Sequence, residues 1–223
     1  LFVLPFFPSG TAWAGLGCSA YVEPQIVIVP RFDEPVFSQA LASPQLRALA
    51  LSEKGDFVGG KIVSGLTDYK KISTVSYKIV SQPMINGTVC SQITRVDFGL
   101  GIEGTTVYVA NEIPNYTCSF FTIREHELKH VEVARRLLQS SLGMPEQSLR
   151  PFLRQFGVIR VHNEREASDY FRQAMDAYLE PFNASLSGMY RDAQAQVDSP
   201  QEYDRIDNSC GQEMRDFRIQ MSR

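Results

Sequence analysis

Apolar and polar residues alternate along much of the first half of the chain and recur at helical spacing through the second. Gln25-Ile26-Val27-Ile28-Val29 reads as a buried strand ended by Pro30, and Ser43-Pro44 opens a short Leu- and Ala-rich helix to about Leu51. From Lys61 to Val80, β-branched residues and alternation predict two strands, and Gln82 to Gly87 is a loop. Val96, Phe98, Leu100 and Ile102 then alternate, Glu103-Gly104 interrupts them, and Thr105 to Ile113 reads as a further strand. This pattern predicts a hairpin folding back about residue 104, with Phe98 opposite Ala110 and Leu100 opposite Tyr108.

After Cys118 the β-branched residues thin out, and Arg, Glu, Gln, Ala and Leu dominate. Helices are expected at about 120–141, 145–156, 164–197 with a break near Pro181, and 200–221. Asn163 three residues before Glu166 fits a capping box for the third of these. The expected fold is therefore α+β: a β-rich amino-terminal half with an antiparallel sheet and hairpin, then a helical half. No Pro/Gly/Ser-rich linker separates the halves, which points to a single domain over residues 15–223.

Composition narrows the function classes. The chain has 223 residues, 43% hydrophobic and 21% charged, so it can bury a core and is neither disordered nor a membrane bundle. A net charge of −3 gives no electrostatic footprint for nucleic acid. The opening segment is apolar, too short to span a bilayer, and ends in Ala12-Trp13-Ala14, a small-x-small pattern suited to signal peptidase. Residues 1–14 are thus expected to be a signal-peptide remnant, cleaved on export to a periplasmic or extracellular compartment. Cys18, Cys90, Cys118 and Cys210 then favour disulfides. The register about residue 104 sets Cys90 opposite Cys118 and leaves Cys18 for Cys210.

Chemistry concentrates in one place. Of three histidines, two fall in His126-Glu127-Leu128-Lys129-His130, an HExxH sequence inside a predicted helix. Positions i and i+4 share a helix face, so both imidazoles reach one tetrahedral ion. Glu127, rotated by about 100°, is placed to hold a water that zinc acidifies and to take its proton.

The third ligand is open on sequence. No Gly and His follow within six residues of His130, which excludes the metzincin continuation. Asp176, which shares a face with Glu180, is one candidate, and Glu166, with Glu164 and Asp169 at the start of the same helix, is another. Asp204 and His162 complete the set.

The motif, behind a signal-like segment and a strand, resembles the zincin superfamily of metallopeptidases. Within it the chain is similar to small secreted bacterial zinc-protease-like proteins of unknown substrate. The likeness rests on the HExxH, its continuation Val131-Glu132-Val133-Ala134-Arg135, a long Ala/Gln-rich helix and Tyr203-Asp204. The Thr-x-His-Gly of those proteins is absent, and Asp207-Asn208-Ser209-Cys210-Gly211 stands there instead. The resemblance implies Zn2+ on His126 and His130, Glu127 as general base, and a peptide or protein substrate. Two other readings stay open: a non-catalytic exported binding protein with a structural or vestigial metal site, and a zinc amidase acting on cell-wall peptide.

Overall fold

The computed structural model describes residues 17–54 and 62–221. The expected signal segment 1–14 and the first position of the expected strand pair, Lys61, lie outside the described residues.

One strand organises the sheet. β4 (Val89–Val109) is 21 residues long, and every other strand of the sheet pairs with it. β3 (Gly65–Pro83) runs antiparallel to it along its whole length, from Gly65 opposite Val109 to Pro83 opposite Val89. β1 (Gln25–Phe32) and β2 (Val36–Ser38) pair with β4 in parallel, and the short β5 (Ile159–Val161) pairs antiparallel at its start.

The sheet is therefore mixed, where an antiparallel one was expected. β3 occupies one side of β4 from end to end, so the strands that precede it add on the other side and run with β4. Among the described residues β1 has no partner on its outer side, which is why it continues through Pro30, a residue that a central strand excludes.

The fold-back expected about residue 104 does not occur. The chain reverses at 84–88, between β3 and β4, where Gly87 adopts φ +81° and its N–H donates to the Met84 carbonyl. Gly104, at φ +66°, marks a β-bulge instead: Lys70 opposes Glu103 and Asp68 opposes Thr106, so two residues of β4 face one of β3. The extra residue shifts the inward face from Val96, Phe98, Leu100 and Ile102 to Val107 and Val109, all at most 2% exposed. For the same reason one strand stands where two were expected between 61 and 80.

The expected disulfides fail with the hairpin. Cys90 lies at the start of β4 and Cys118 beyond its far end, with a strand of roughly 60 Å in extended length between them, and no bridge spans that. The bonds are Cys18–Cys90 and Cys118–Cys210. The first clips the start of β4 to the segment before β1, the second ties the start of α2 to the end of α5, and disulfides of this kind suit an oxidising compartment.

The second half is helical as expected: α2 (Cys118–Ser141), α3 (Gly143–Phe156), α4 (Glu164–Val197), α5 (Pro200–Ser209) and α6 (Gln212–Met221), with α1 (Ser43–Lys54) earlier. Thr117 caps α2 through Phe120 N–H, and Asn163 caps α4 through Glu166 N–H at 2.9 Å. α4 does not break at Pro181. Tyr178 and Phe182, on either side of it, stack on each other, and both meet Phe98 of the sheet edge-on, so packing spans the missing hydrogen bond. The expected last helix is divided at Gly211 (φ +55°) into α5 and α6. Among the described residues no helix is long and apolar enough to cross a membrane.

Among the described residues two apolar clusters result. One joins Val96, Phe98, Leu100 and Ile102 to Val131, Ala134 and Leu138 of α2 and to Phe171 and Met175 of α4. The other joins Leu46 and Ala50 of α1 to Leu66, Val109, Ile123 and Ile206. α2 contributes to both, and the turn of α2 between Ile123 and Val131 lies at the seam.

Peptide mapping of oxidised protein under non-reducing conditions should recover Cys18 with Cys90 and Cys118 with Cys210. Recovery of Cys90 with Cys118 would refute the continuous 21-residue strand.

Candidate metal centre

The seam is where the histidines fall. His126, Glu127 and His130 are 5%, 6% and 5% exposed, on the face of α2 that turns toward β3 and the carboxyl-terminal helices. Their neighbours follow from period-two alternation on β3, which aims Gly65, Thr67 and Tyr69 at the helices. Gly65 leaves room for the turn: a Cβ there would stand 2.6 Å from Ile123 Cγ2 and 2.7 Å from Glu127 Oε1. Thr67 Oγ1 donates at 2.9 Å to Glu127 Oε2 and lies 2.8 Å from the Glu127 carbonyl oxygen. Tyr69 OH accepts from Gln194 Nε2 at 3.2 Å.

The third member of the group is Asp198, at the joint between α4 and α5. It caps the end of α4, and Ser199 caps α5 with Pro200 in its first turn, so the chain turns sharply there and carries the carboxylate over α2. His126 Nε2 lies 3.5 Å and His130 Nε2 3.2 Å from Asp198 Oδ1, and the two Nε2 atoms are 3.3 Å apart. Donors about 2.0–2.1 Å from a tetrahedral ion stand about 3.3–3.4 Å from one another. Two imidazoles and one carboxylate at this spacing suit a divalent transition metal.

Both rings are held from behind. His130 Nδ1 meets Gln194 Oε1, and the Gln194 amide is oriented by donating to Tyr69 OH and, at 3.1 Å, to the His130 carbonyl. His126 Nδ1 lies 3.4 Å from Glu202 Oε1, which in turn accepts from Lys129 Nζ at 2.8 Å and Arg205 Nη2 at 2.8 Å. Acceptors behind each Nδ1 favour the tautomer with the proton on Nδ1, which would leave both Nε2 lone pairs for a metal ion seated between the rings and Asp198; without an ion, Nε2–H of each ring instead donates to Asp198 Oδ1. Tyr203 OH donates to Asp198 Oδ1 at 3.0 Å and fixes the carboxylate.

Charges follow this wiring. Burial of Asp198 opposes its ionisation, but hydrogen bonds to His126 and His130 hold its carboxyl far below the usual carboxylate range. Burial of His130 opposes its charging, yet the Asp198 hydrogen bond, with the charges of Glu127 and Asp198, raises its pKa overall. The Arg205 hydrogen bond, helped by Lys129, brings Glu202 down to about 2. Burial, then Asp198, pushes the Tyr203 phenol up, so it stays a donor.

Sequence reasoning named His126, His130 and Glu127, and the structure brings all three together. It does not bring Asp176, Glu166 or Asp204 to them. Asp176 is exposed beside Tyr77 and Arg172, because the far end of α4, not its middle, crosses His130. Glu166 accepts from the His162 backbone N–H at 2.8 Å and stays at the amino end of α4 with Glu164 and Asp169. His162 is engaged by Glu166 and is 86% exposed at its side chain. Glu180 is exposed as well. Tyr203 faces the site, so Asp204, rotated by about 100°, faces out. Asp198 was missed. The signal available was Asp198-Ser199-Pro200, helix punctuation with an acidic residue between the two predicted helices.

The group opens onto a cavity of about 210 Å³, whose walls include His126, Glu127, His130, Asp198 and Tyr203. No known protein family, curated protein or solved structure matches this chain.

Gly65→Ala should destabilise the metal-free protein by about 1–3 kcal/mol in urea denaturation, because the added Cβ would stand 2.6 Å from Ile123 Cγ2 and 2.9 Å from Glu127 Cγ, so that one of these side chains must shift. An unchanged midpoint would contradict the packing of β3 on α2.

In metal-free protein, an NMR titration should show His130 titrating above about 6.5, and Asp198→Asn should lower that value. The sign follows from linkage. The His130 contribution to stability is full below the unfolded pKa and is lost as pH rises through the raised folded value. The Asp198 contribution is present above its unfolded pKa and is lost as pH falls through the depressed folded value. A His130 titration insensitive to Asp198→Asn would contradict the pairing.

Proposed function

We propose that the protein is an exported zinc-dependent peptidase. The observation that carries this reading is that Glu127 stands on the same buried turn as two Nε2 donors that converge with Asp198 Oδ1 on the wall of a cavity. The HExxH sequence and its likeness to zincin metallopeptidases support it, as do two disulfides suited to an exported chain.

His126 and His130 would hold zinc through Nε2 and Asp198 through Oδ1. Bound zinc supplies a Lewis acid that acidifies water and polarises a carbonyl. Three protein donors leave a coordination position open, the arrangement of catalytic rather than closed structural sites. All four cysteines are in disulfides, so none supplies a fourth ligand. This favours catalysis over a structural metal.

Thr67 engages Glu127 Oε2 and fixes the carboxylate plane, and Oε1 is the oxygen assigned to accept a proton from water in the cavity. The same carboxylate then delivers that proton to the departing amine nitrogen. Gln194 and Glu202 accept from Nδ1 of the two imidazoles and fix their orientation, which keeps each Nε2 turned to the metal position. Tyr203 keeps Asp198 from rotating away.

Purified protein should hold close to one zinc per chain by elemental analysis. Glu127→Gln should keep the zinc and lose peptide hydrolysis by about 10²–10⁴-fold. Asp198→Ala should lose zinc affinity by a larger factor than Glu202→Gln. Hydrolysis that survives Glu127→Gln, or stoichiometric zinc that survives loss of both His130 and Asp198, would refute the reading.

A further inference from the structure

The proposed catalytic groups and Tyr203 occupy one wall of the cavity, and the rest is apolar but for Ser64 and Arg218. Ala50 of α1, Ile62 and Val63 on the approach to β3, Leu66 of β3, Ile123 of α2 and Ile206 of α5 line it. Ala50, Leu66, Ile123 and Ile206 are at most 5% exposed and belong to the second apolar cluster, so these walls are built by the core and do not move independently. Among the described residues, the one charged side chain in the lining apart from the metal group and Glu127 is Arg218, and its Nη1 donates to Asp207 Oδ2 at 2.7 Å. That guanidinium is answered within the protein and leaves the cavity without a free charge for an acidic side chain.

From this lining we infer that the substrate is a peptide carrying a large apolar side chain, of leucine or phenylalanine size, next to the scissile bond, and that Ala50, Ile62 and Leu66 select it. The inference rests on the proposed peptidase reading and names the substrate class of that site. Size supports it: the cavity is about 210 Å³, and an apolar protein cavity of about 150 Å³ holds a benzene ring. A glycine or alanine residue would leave most of this volume unfilled, and an aspartate or lysine would lose its hydration against aliphatic walls. The metal group and the apolar walls share one cavity, so a residue whose carbonyl lies at Glu127 has its own side chain, or that of its neighbour, within reach of those walls.

The test separates the pocket from the chemistry by reading binding instead of turnover. N-acetyl-leucine hydroxamate and N-acetyl-glycine hydroxamate share the metal-binding group and differ in the side chain. Their affinities for zinc-loaded protein are measured by calorimetry. The expected result is at least tenfold tighter binding of the leucine compound. Ile62 is 39% exposed, so Ile62→Asp should fold normally and bring the two affinities within threefold. Ala50→Leu, which fills the cavity from its buried side, should do the same if it folds, as judged by circular dichroism. Equal affinities in the unaltered protein, or a leucine preference untouched by Ile62→Asp, would overturn the pocket assignment while leaving the metal site standing. Failure of both compounds to bind would overturn the peptidase reading and this inference with it.

Discussion

Burial of three polar side chains on one turn of α2 is the constraint from which the rest of the site follows. An unpartnered buried polar group costs about 1–3 kcal/mol, and His126, Glu127 and His130 together bring several. Each is answered from a different element. β3 supplies Thr67 to Glu127, the last turns of α4 supply Gln194 to His130, and α5 supplies Glu202 to His126. Asp198, at the joint of α4 and α5, meets both rings. A helix that turned its histidines to solvent would need none of these.

The sheet makes that convergence geometrically stable. The bulge at Gly104 switches the inward face of β4, so the far third of the strand buries Val107 in the cluster of Val131 and Val109 in the cluster of Ile123. Cores on both sides of the polar turn then fix α2 at Ile123 and again at Val131. Cys118–Cys210 ties the start of α2 to the end of α5, the helix that carries Glu202 and Tyr203. Cys18–Cys90 secures the opposite end of β4, where β5 also joins. The two bonds thus act on different regions: one holds the surroundings of the metal group, the other the distant edge of the sheet.

Helical spacing and caps are legible in the sequence, whereas the passage of α4 through Pro181, the division at Gly211 and the long-range pairings are not. Helical periodicity located α2, α3 and α4 to within two residues, and the Asn163 cap and the HExxH face appear where spacing requires them. Glu103-Gly104 misled because a glycine that interrupts alternation looks the same whether the chain turns or bulges. The choice depends on whether a partner strand runs alongside, and β3 does. The wrong cysteine pairing was a consequence of that single misreading. Asp198 was illegible for another reason: nothing local says which of several acidic residues after the motif a helix crossing will deliver to His130. Tyr203-Asp204 offers Asp204 as one candidate among several, whereas the partner of Tyr203 lies a turn and a half earlier, at the helix joint. Parallel pairing is equally beyond reach, since the strand at 25–29 reads the same in either direction and the three residues of β2 carry too little pattern to mark a strand.

The central claim is that His126, His130 and Asp198 form one metal site, and X-ray absorption at the zinc edge of zinc-loaded protein tests it most directly. The account predicts a first shell of nitrogen and oxygen near 2.0–2.1 Å with the outer scattering of two imidazoles, and loss of one imidazole in His126→Ala. A sulfur scatterer near 2.3 Å, or a shell with a single imidazole in the unaltered protein, would contradict it.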